Sequence, residues 1–263
     1  MIVNRLEYKY LVPIEKLSEL RSELSPFLEV DPYAARTGID QYTVRSIYYD
    51  TTDFRYYNEK IEGEGLRKKV RIRSYNQLYK DSLMFLEIKR KTQKTIRKNR
   101  AAIFYYDFED VFFHKQLKNK IVHLGKNGSA FSDAIKFFYQ IYRENLRPTI
   151  LVTYEREAYY HKFNHLLRLT FDYNLRSSFT TGIYELFSEE NMLPSLQDYF
   201  ILEIKFISSL PRWLNHTIAR YGLKQQALSK YTICLDDQFK YRLGVMNPRG
   251  RKIYFYDRIE LNK

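Results

Sequence analysis

Apolar and polar residues alternate along seven short stretches of the chain, and in each the charged groups fall on one parity of the alternation. They are Glu7/Lys9, Arg71/Arg73, Glu87/Lys89, Lys98/Arg100, Arg156 beside Tyr154, Arg168/Asp172 and Glu203/Lys205. Residues i and i+2 of a β-strand share a face, so each set projects together. Between them stand Leu6 and Tyr8, Val70 and Ile72, Leu86 and Ile88, Leu167 and Leu169, Leu202 and Ile204. Each stretch therefore predicts a strand with one apolar and one ionic face.

The remaining elements follow from periodicity and turn residues. Residues 5–12 read as a strand, after which Pro13 opens a helix with Ile14, Leu17, Leu20 and Leu24 on one side. A loop with Pro26, Pro32 and Gly38 leads to strands at 42–50 and 67–75, and residues 50–53 (DTTD) act as a stop and helix cap. Residues 83–90 and 95–104 form a hairpin pair. Residues 107–120 and 130–146 read as helices joined by a turn at Gly125–Gly128, with Pro148 ending the second. Strands resume at 149–160, 165–173 and 199–207. A helix over 210–221 closes at Gly222, and a last helix covers 232–243. No fixed-period repeat or composition break divides the chain, so one domain over residues 1–245 is expected. A basic tail, 246–263, follows with Arg249, Arg251, Lys252, Arg258 and Lys263.

Composition narrows the class. With 44% hydrophobic and 29% charged residues, the 263-residue chain reads as globular rather than disordered. Its 25 Tyr and 18 Phe favour strands. No apolar run of about 18 residues predicts a membrane span, and the N-terminus lacks a signal-peptide core. The single cysteine, Cys234, excludes an intramolecular disulfide and fits a reducing compartment. A cytoplasmic protein is the expectation. The five histidines show no ligand spacing.

Charge brings in the chemistry. The formal net charge of +13 points to anionic partners without choosing among nucleic acid, lipid headgroups and phosphate compounds. The charged strands and Lys230 supply ten cations against four carboxylates, Glu7, Glu87, Asp172 and Glu203. Any one such pair is the ordinary wet face of a sheet. Seven stretches biased to cations are less ordinary, and if their ionic faces converge they line a site for a polyanion. Glu7 and Glu87 read as partners of nearby lysines or arginines, and Asp172 as the holder of an arginine. No helix-turn-helix, zinc pattern or RNA-binding sheet signature points to nucleic acid.

Read in order, RLEYKY, SIYYDT, KVRIR, FLEIKRK, KNR, YEREAY, LRLTFD, LEIK and LSKY run across residues 4–240. Together they resemble the polyphosphate-polymerase domain of the vacuolar transporter chaperone (VTC) family, a branch of the triphosphate tunnel metalloenzymes. The resemblance implies an α+β fold, an antiparallel β-barrel or tunnel with peripheral α-helices. It further implies a metal-dependent polymerase that moves the γ-phosphate of ATP onto inorganic polyphosphate. By position, Lys9, Arg71, Arg73, Lys89, Lys98, Arg156 and Arg168 would be its catalytic tunnel cations. Glu203 would be its ligand for Mn2+ or Mg2+. Ser229 and Lys230 would lie in its terminal phosphate-binding motif and Tyr154 near the nucleotide, with Arg100 and Lys205 as further substrate contacts. Two positions depart from the pattern: Ala227 stands where many relatives are basic, and Arg5 replaces a superfamily glutamate. ATP and polyphosphate are the expected partners, and a membrane protein is a further one to which product could pass. A tunnel triphosphatase and a non-catalytic polyphosphate-binding module are the alternative functions.

Overall fold

The computed structural model describes residues 5–92, 95–124 and 128–242; the expected turn at Gly125–Gly128 falls mostly outside them, and the basic tail wholly so. Backbone contacts divide the chain into two compact units. The first comprises the described residues up to Thr43, Thr153–Arg176 and Pro194–Lys230. The second comprises Val44–Val152, Ser177–Leu193 and the described residues from Tyr231.

The first unit is built around β1 (Arg5–Pro13), β11 (Tyr199–Ile207), β9 (Asn164–Phe179) and β8 (Arg147–His161), in that order; β8 and β9 each run on into the second unit. β2 (Leu28–Val30) pairs with β8, and the two-residue β10 (Leu193–Pro194) pairs with β9. Tyr10, Val12, Leu169, Phe171, Leu202 and Ile204 bury one face under α1 (Leu17–Leu24) and α6 (Arg212–Arg220), whose Leu20, Leu24 and Leu214 join the same cluster. Where the sequence suggested only a loop, Asp31 starts a short α2 (Pro32–Ala35) by accepting the Tyr33 N–H at 2.8 Å. Gly222, at φ +60°, follows α6 in the left-handed region that glycine enters at no steric cost.

The second unit carries β3 (Gln41–Asp50, which begins in the first), β4 (Leu66–Tyr75), β5 (Leu83–Thr92), β6 (Thr95–Phe104) and β7 (Ile121–Val122), in that order. Ile47, Val70, Ile72, Leu86, Ile88 and Ile103 bury its apolar face against Ala134 and Phe137 of α5 (Ala130–Glu144). The cap expected at 50–53 is made by the first of those residues. The Asp50 carboxylate accepts the N–H groups of Tyr56 and Tyr57 at 2.9 and 3.0 Å, at the start of α3 (Arg55–Ile61). α7 (Lys230–Arg242) begins two residues earlier than its periodicity suggested.

Three sequence expectations change. The helix over 107–120 shrinks to α4 (Phe108–Phe112), because Lys115 and Asn119 adopt left-handed backbone, φ 57° and 67°, which a right-handed helix cannot include. α5 ends not at Pro148 but at Asn145, itself left-handed at φ 48°, and Pro148 lies inside β8. The α+β class and antiparallel sheet are found, but β1 and β7 end the hydrogen-bonded path without pairing, so the sheet is not closed into the expected barrel. Among the described residues no helix is long and apolar enough to cross a membrane.

Candidate functional site

Alternation fixes the site residues in register. In the first unit, antiparallel pairing sets Glu7 opposite Lys205 and Lys205 opposite Arg168, and one step along it sets Lys9 opposite Glu203 and Glu203 opposite Thr170. Charges of opposite sign therefore alternate along β1 and β11 and face each other across that pair, while Lys205 meets a second cation, Arg168, on β9. Lys9 Nζ stands 3.0 Å from Glu7 Oε1 and 3.5 Å from Glu203 Oε2, while Lys205 contacts the other Glu203 oxygen. Burial alone would raise the Glu203 carboxyl, but Lys205, Lys9, Arg156 and Lys230 hold it well below the usual range. Lys9 ends above its ordinary value, since Glu203 and Glu7 more than reverse the effect of burial.

Asp172 is the second centre. Arg156 Nε and Nη2 donate to its two oxygens at 2.6 and 2.7 Å, and Lys230, at the start of α7, reaches it at 2.5 Å. Both cations sit over the buried Tyr154 ring, Lys230 Nζ at 4.6 Å and Arg156 Cζ at 5.3 Å from its centre. Ser229 is buried immediately before Lys230. Arg168 donates to Asp31 Oδ2 at 2.9 Å, a partner that nothing in the local pattern announced.

The second unit holds a different arrangement. Across β4, β5 and β6 the residues stand in rows: Arg67–Lys91–Ile96, Lys69–Lys89–Lys98, Arg71–Glu87–Arg100 and Arg73–Phe85–Ala102. In these rows Glu87 is the one carboxylate among eight cations. Its Oε2 accepts from Arg71 Nε at 2.8 Å, and Lys98 Nζ lies 2.7 Å from its Oε1. Burial would raise Glu87, yet Arg71, Arg73 and Lys98 hold it far below the usual carboxylate range. Arg73 donates to Ser46 at 3.0 Å and Arg71 to the Tyr48 hydroxyl at 3.0 Å. Lysines directly opposite one another repel, and an anion close to the row would offset that repulsion. Lys98 and Arg100 are the exposed members, at 46 and 39% of their side chains.

Of the expected site residues, Lys9, Tyr154, Arg156, Arg168, Glu203, Lys205, Ser229 and Lys230 thus fall in the first unit, and Arg71, Arg73, Lys89, Lys98 and Arg100 in the second. Arg67, Lys69 and Lys91 share the second face and were missed, although their parity in the stretch around KVRIR and in FLEIKRK marks them.

The fit to a metal can be read from the donors. Glu203 offers a carboxylate, and the buried Thr170 hydroxyl opposite it on β9 has no hydrogen-bond partner. Among the described residues no group of three His, Cys, Asp or Glu could hold a metal. Such a set suits a hard divalent ion that takes most of its ligands from water and phosphate, as Mg2+ does, and not an all-protein cage.

Among curated proteins none matches this chain. Among solved structures the PH1819 protein of Pyrococcus horikoshii OT3 is similar, at 14% identity over 88% of this chain and 99% of its own. Its TM-score of 0.44 is too low to bear on function. Residues 4–237 match the model of the VTC domain, and the chain belongs to that family.

Proposed function

We propose that the chain is a metal-dependent polyphosphate polymerase, transferring the γ-phosphate of ATP to a growing inorganic polyphosphate chain. The observation that carries this reading is the set of cation rows on β4–β6, eight positive groups around one carboxylate, in a member of the VTC family. Phosphoryl transfer asks little covalent chemistry of a protein; it asks for alignment and for neutralisation of charge on phosphate oxygens.

In the proposed reaction, a terminal phosphate oxygen of the chain attacks the γ-phosphorus of ATP. A new P–O–P bond forms, the β–γ anhydride breaks, and ADP leaves. Arg71, Arg73 and Arg100 present planar forks that span two oxygens, and Lys89 and Lys98 act as point charges along the chain. Arg156 and Lys230 are held by Asp172 and Tyr154, so they are pre-set to receive a phosphate without first being ordered. Glu203, with Thr170 opposite, would hold Mn2+ or Mg2+, which as a Lewis acid would offset charge on bridging oxygens. A metal held there would take Glu203 from its contacts with Lys9 and Lys205, and would leave those two lysines to meet phosphate.

Phosphorus-31 NMR of the protein with ATP and Mg2+ tests this function. The expected result is loss of the γ resonance with growth of a mid-chain phosphate signal and of ADP. Orthophosphate in place of the mid-chain signal would mean hydrolysis and overturn it.

A further inference from the structure

The outward face of α5 carries Phe131, Ile135, Tyr139 and Tyr142, at 42, 47, 59 and 59% exposure. Spacings of four, four and three keep these side chains on one stripe of the 15-residue helix. The other exposed residues of α5 are Ser132, Lys136 and Arg143. Neither carboxylate of the helix is exposed, although Asp133 also pairs with Lys136 at 3.2 Å. Asp133 is buried against the Asn99 amide at 2.8 Å and the Arg100 N–H at 3.2 Å, and Glu144 is held by Lys68 and Tyr56, both at 2.6 Å. The face is thus apolar and aromatic, with cations as its only charges. Lys115, from the loop after α4, adds another, 5.7 Å from the centre of the Tyr142 ring. The opposite side of α5 packs on the apolar face of β4–β6, so the stripe is remote from the charged strand face.

An exposed patch of this kind needs an occupant. A second copy of the chain fits poorly, since a two-fold contact would set Lys136, Arg143 and Lys115 against the same cations. An anionic bilayer fits well. Tyrosine and phenylalanine rings settle at headgroup depth, and Lys and Arg extend their stems along the apolar surface to reach phosphate. We propose that this face of α5 docks on an anionic lipid surface. The rings enter the interface, and Lys115, Lys136 and Arg143 meet the headgroups.

Flotation of the full chain with phosphatidylcholine vesicles, with and without phosphatidylserine, tests the inference. Saturating triphosphate is present throughout, to occupy the phosphate-binding strand faces. The parent should float only with phosphatidylserine. Phe131→Ser/Tyr139→Ser/Tyr142→Ser, which keeps every charge, should lower its partition at least ~tenfold. Ile135→Trp retains the apolar stripe, and its emission should shift to the blue on phosphatidylserine vesicles. Equal flotation of the triple variant would mean that net charge alone drives binding and would overturn the proposal. An unshifted Ile135→Trp spectrum would overturn it too, as would a parent that ignores vesicles yet binds polyglutamate or dimerises with concentration.

Discussion

Arg156 meets Asp172 through two parallel bonds, Nε to Oδ1 at 2.6 Å and Nη2 to Oδ2 at 2.7 Å, where both side chains are almost wholly buried. A buried ion pair adds little net stability, but removing one partner strands a charge that burial has already taken from water. Arg156→Ala should therefore lower the unfolding free energy by about 2–3 kcal/mol in urea titrations, short of the ~3–5 for a fully stranded charge because Lys230 remains. Arg156→Met, Asp172→Leu and Lys230→Met together, which leave none of the three partners stranded, should recover most of the loss. A single variant as stable as the parent would show that the pair has no structural role.

Acid should act through the carboxylates gripped by cations. Glu87, Glu203 and Asp172 all have folded-state values below the usual range. For a depressed carboxyl, the stabilisation is present above its unfolded value, about 4.3 for Glu, and is lost as pH falls towards the folded value. Stability should thus drop progressively below about pH 4. Glu87→Gln, less stable at pH 7, should show a shallower acid slope. A parallel slope would place the acid response in other groups.

Asp236 should behave in the opposite sense. Burial first, then Asp237, pushes its carboxyl up to about 7, although the Tyr57 hydroxyl donates to it. A raised carboxyl keeps a proton that the unfolded chain has lost, so stability from this group falls as pH rises from about 4 to about 7. Asp236→Asn removes that dependence. Relative to the parent, its stability should rise across this window, reaching a gain of order 1–3 kcal/mol at pH 8. Thermal melts at pH 4 and 8 check it, and a constant difference between the two proteins would contradict it.

The legible part of the fold was the strands. Period-two alternation located β1, β4, β5, β6 and β11 to within about two residues, because each turns mainly apolar side chains to one face and charged ones to the other. Strand parity likewise put Arg71 with Arg73 and Glu203 with Lys205. What sequence could not give was decided by backbone at single residues or by distant partners. Lys115 and Asn145 enter the left-handed region and end helices that composition would have continued. The Arg168–Asp31 and Lys230–Asp172 contacts join residues 137 and 58 positions apart, and no local pattern encodes such a pairing. Arg67, Lys69 and Lys91 were within reach, since they repeat the parity of Arg71 and Lys89.

The lysine row should reveal itself through salt. Lys98 is half exposed and stands opposite Lys89, so its charge is offered to an anion at some cost to the sheet. Lys98→Ala should weaken polyphosphate binding about tenfold at low salt and flatten the dependence of affinity on salt by roughly one ion. Fluorescence titrations over a salt series measure both. An unchanged salt slope would remove Lys98 from the binding surface.

The most direct measurement is gel electrophoresis of phosphate chains after incubation with ATP and Mn2+, with Glu203→Gln run beside the parent. The parent should yield a ladder lengthening with time while ADP accumulates. The variant should bind polyphosphate at least as well, having lost a negative charge, and lose at least ~100-fold in ladder formation, the several kcal/mol expected of a Lewis acid. ADP without a ladder from the parent, or an undiminished ladder from Glu203→Gln, would contradict the account.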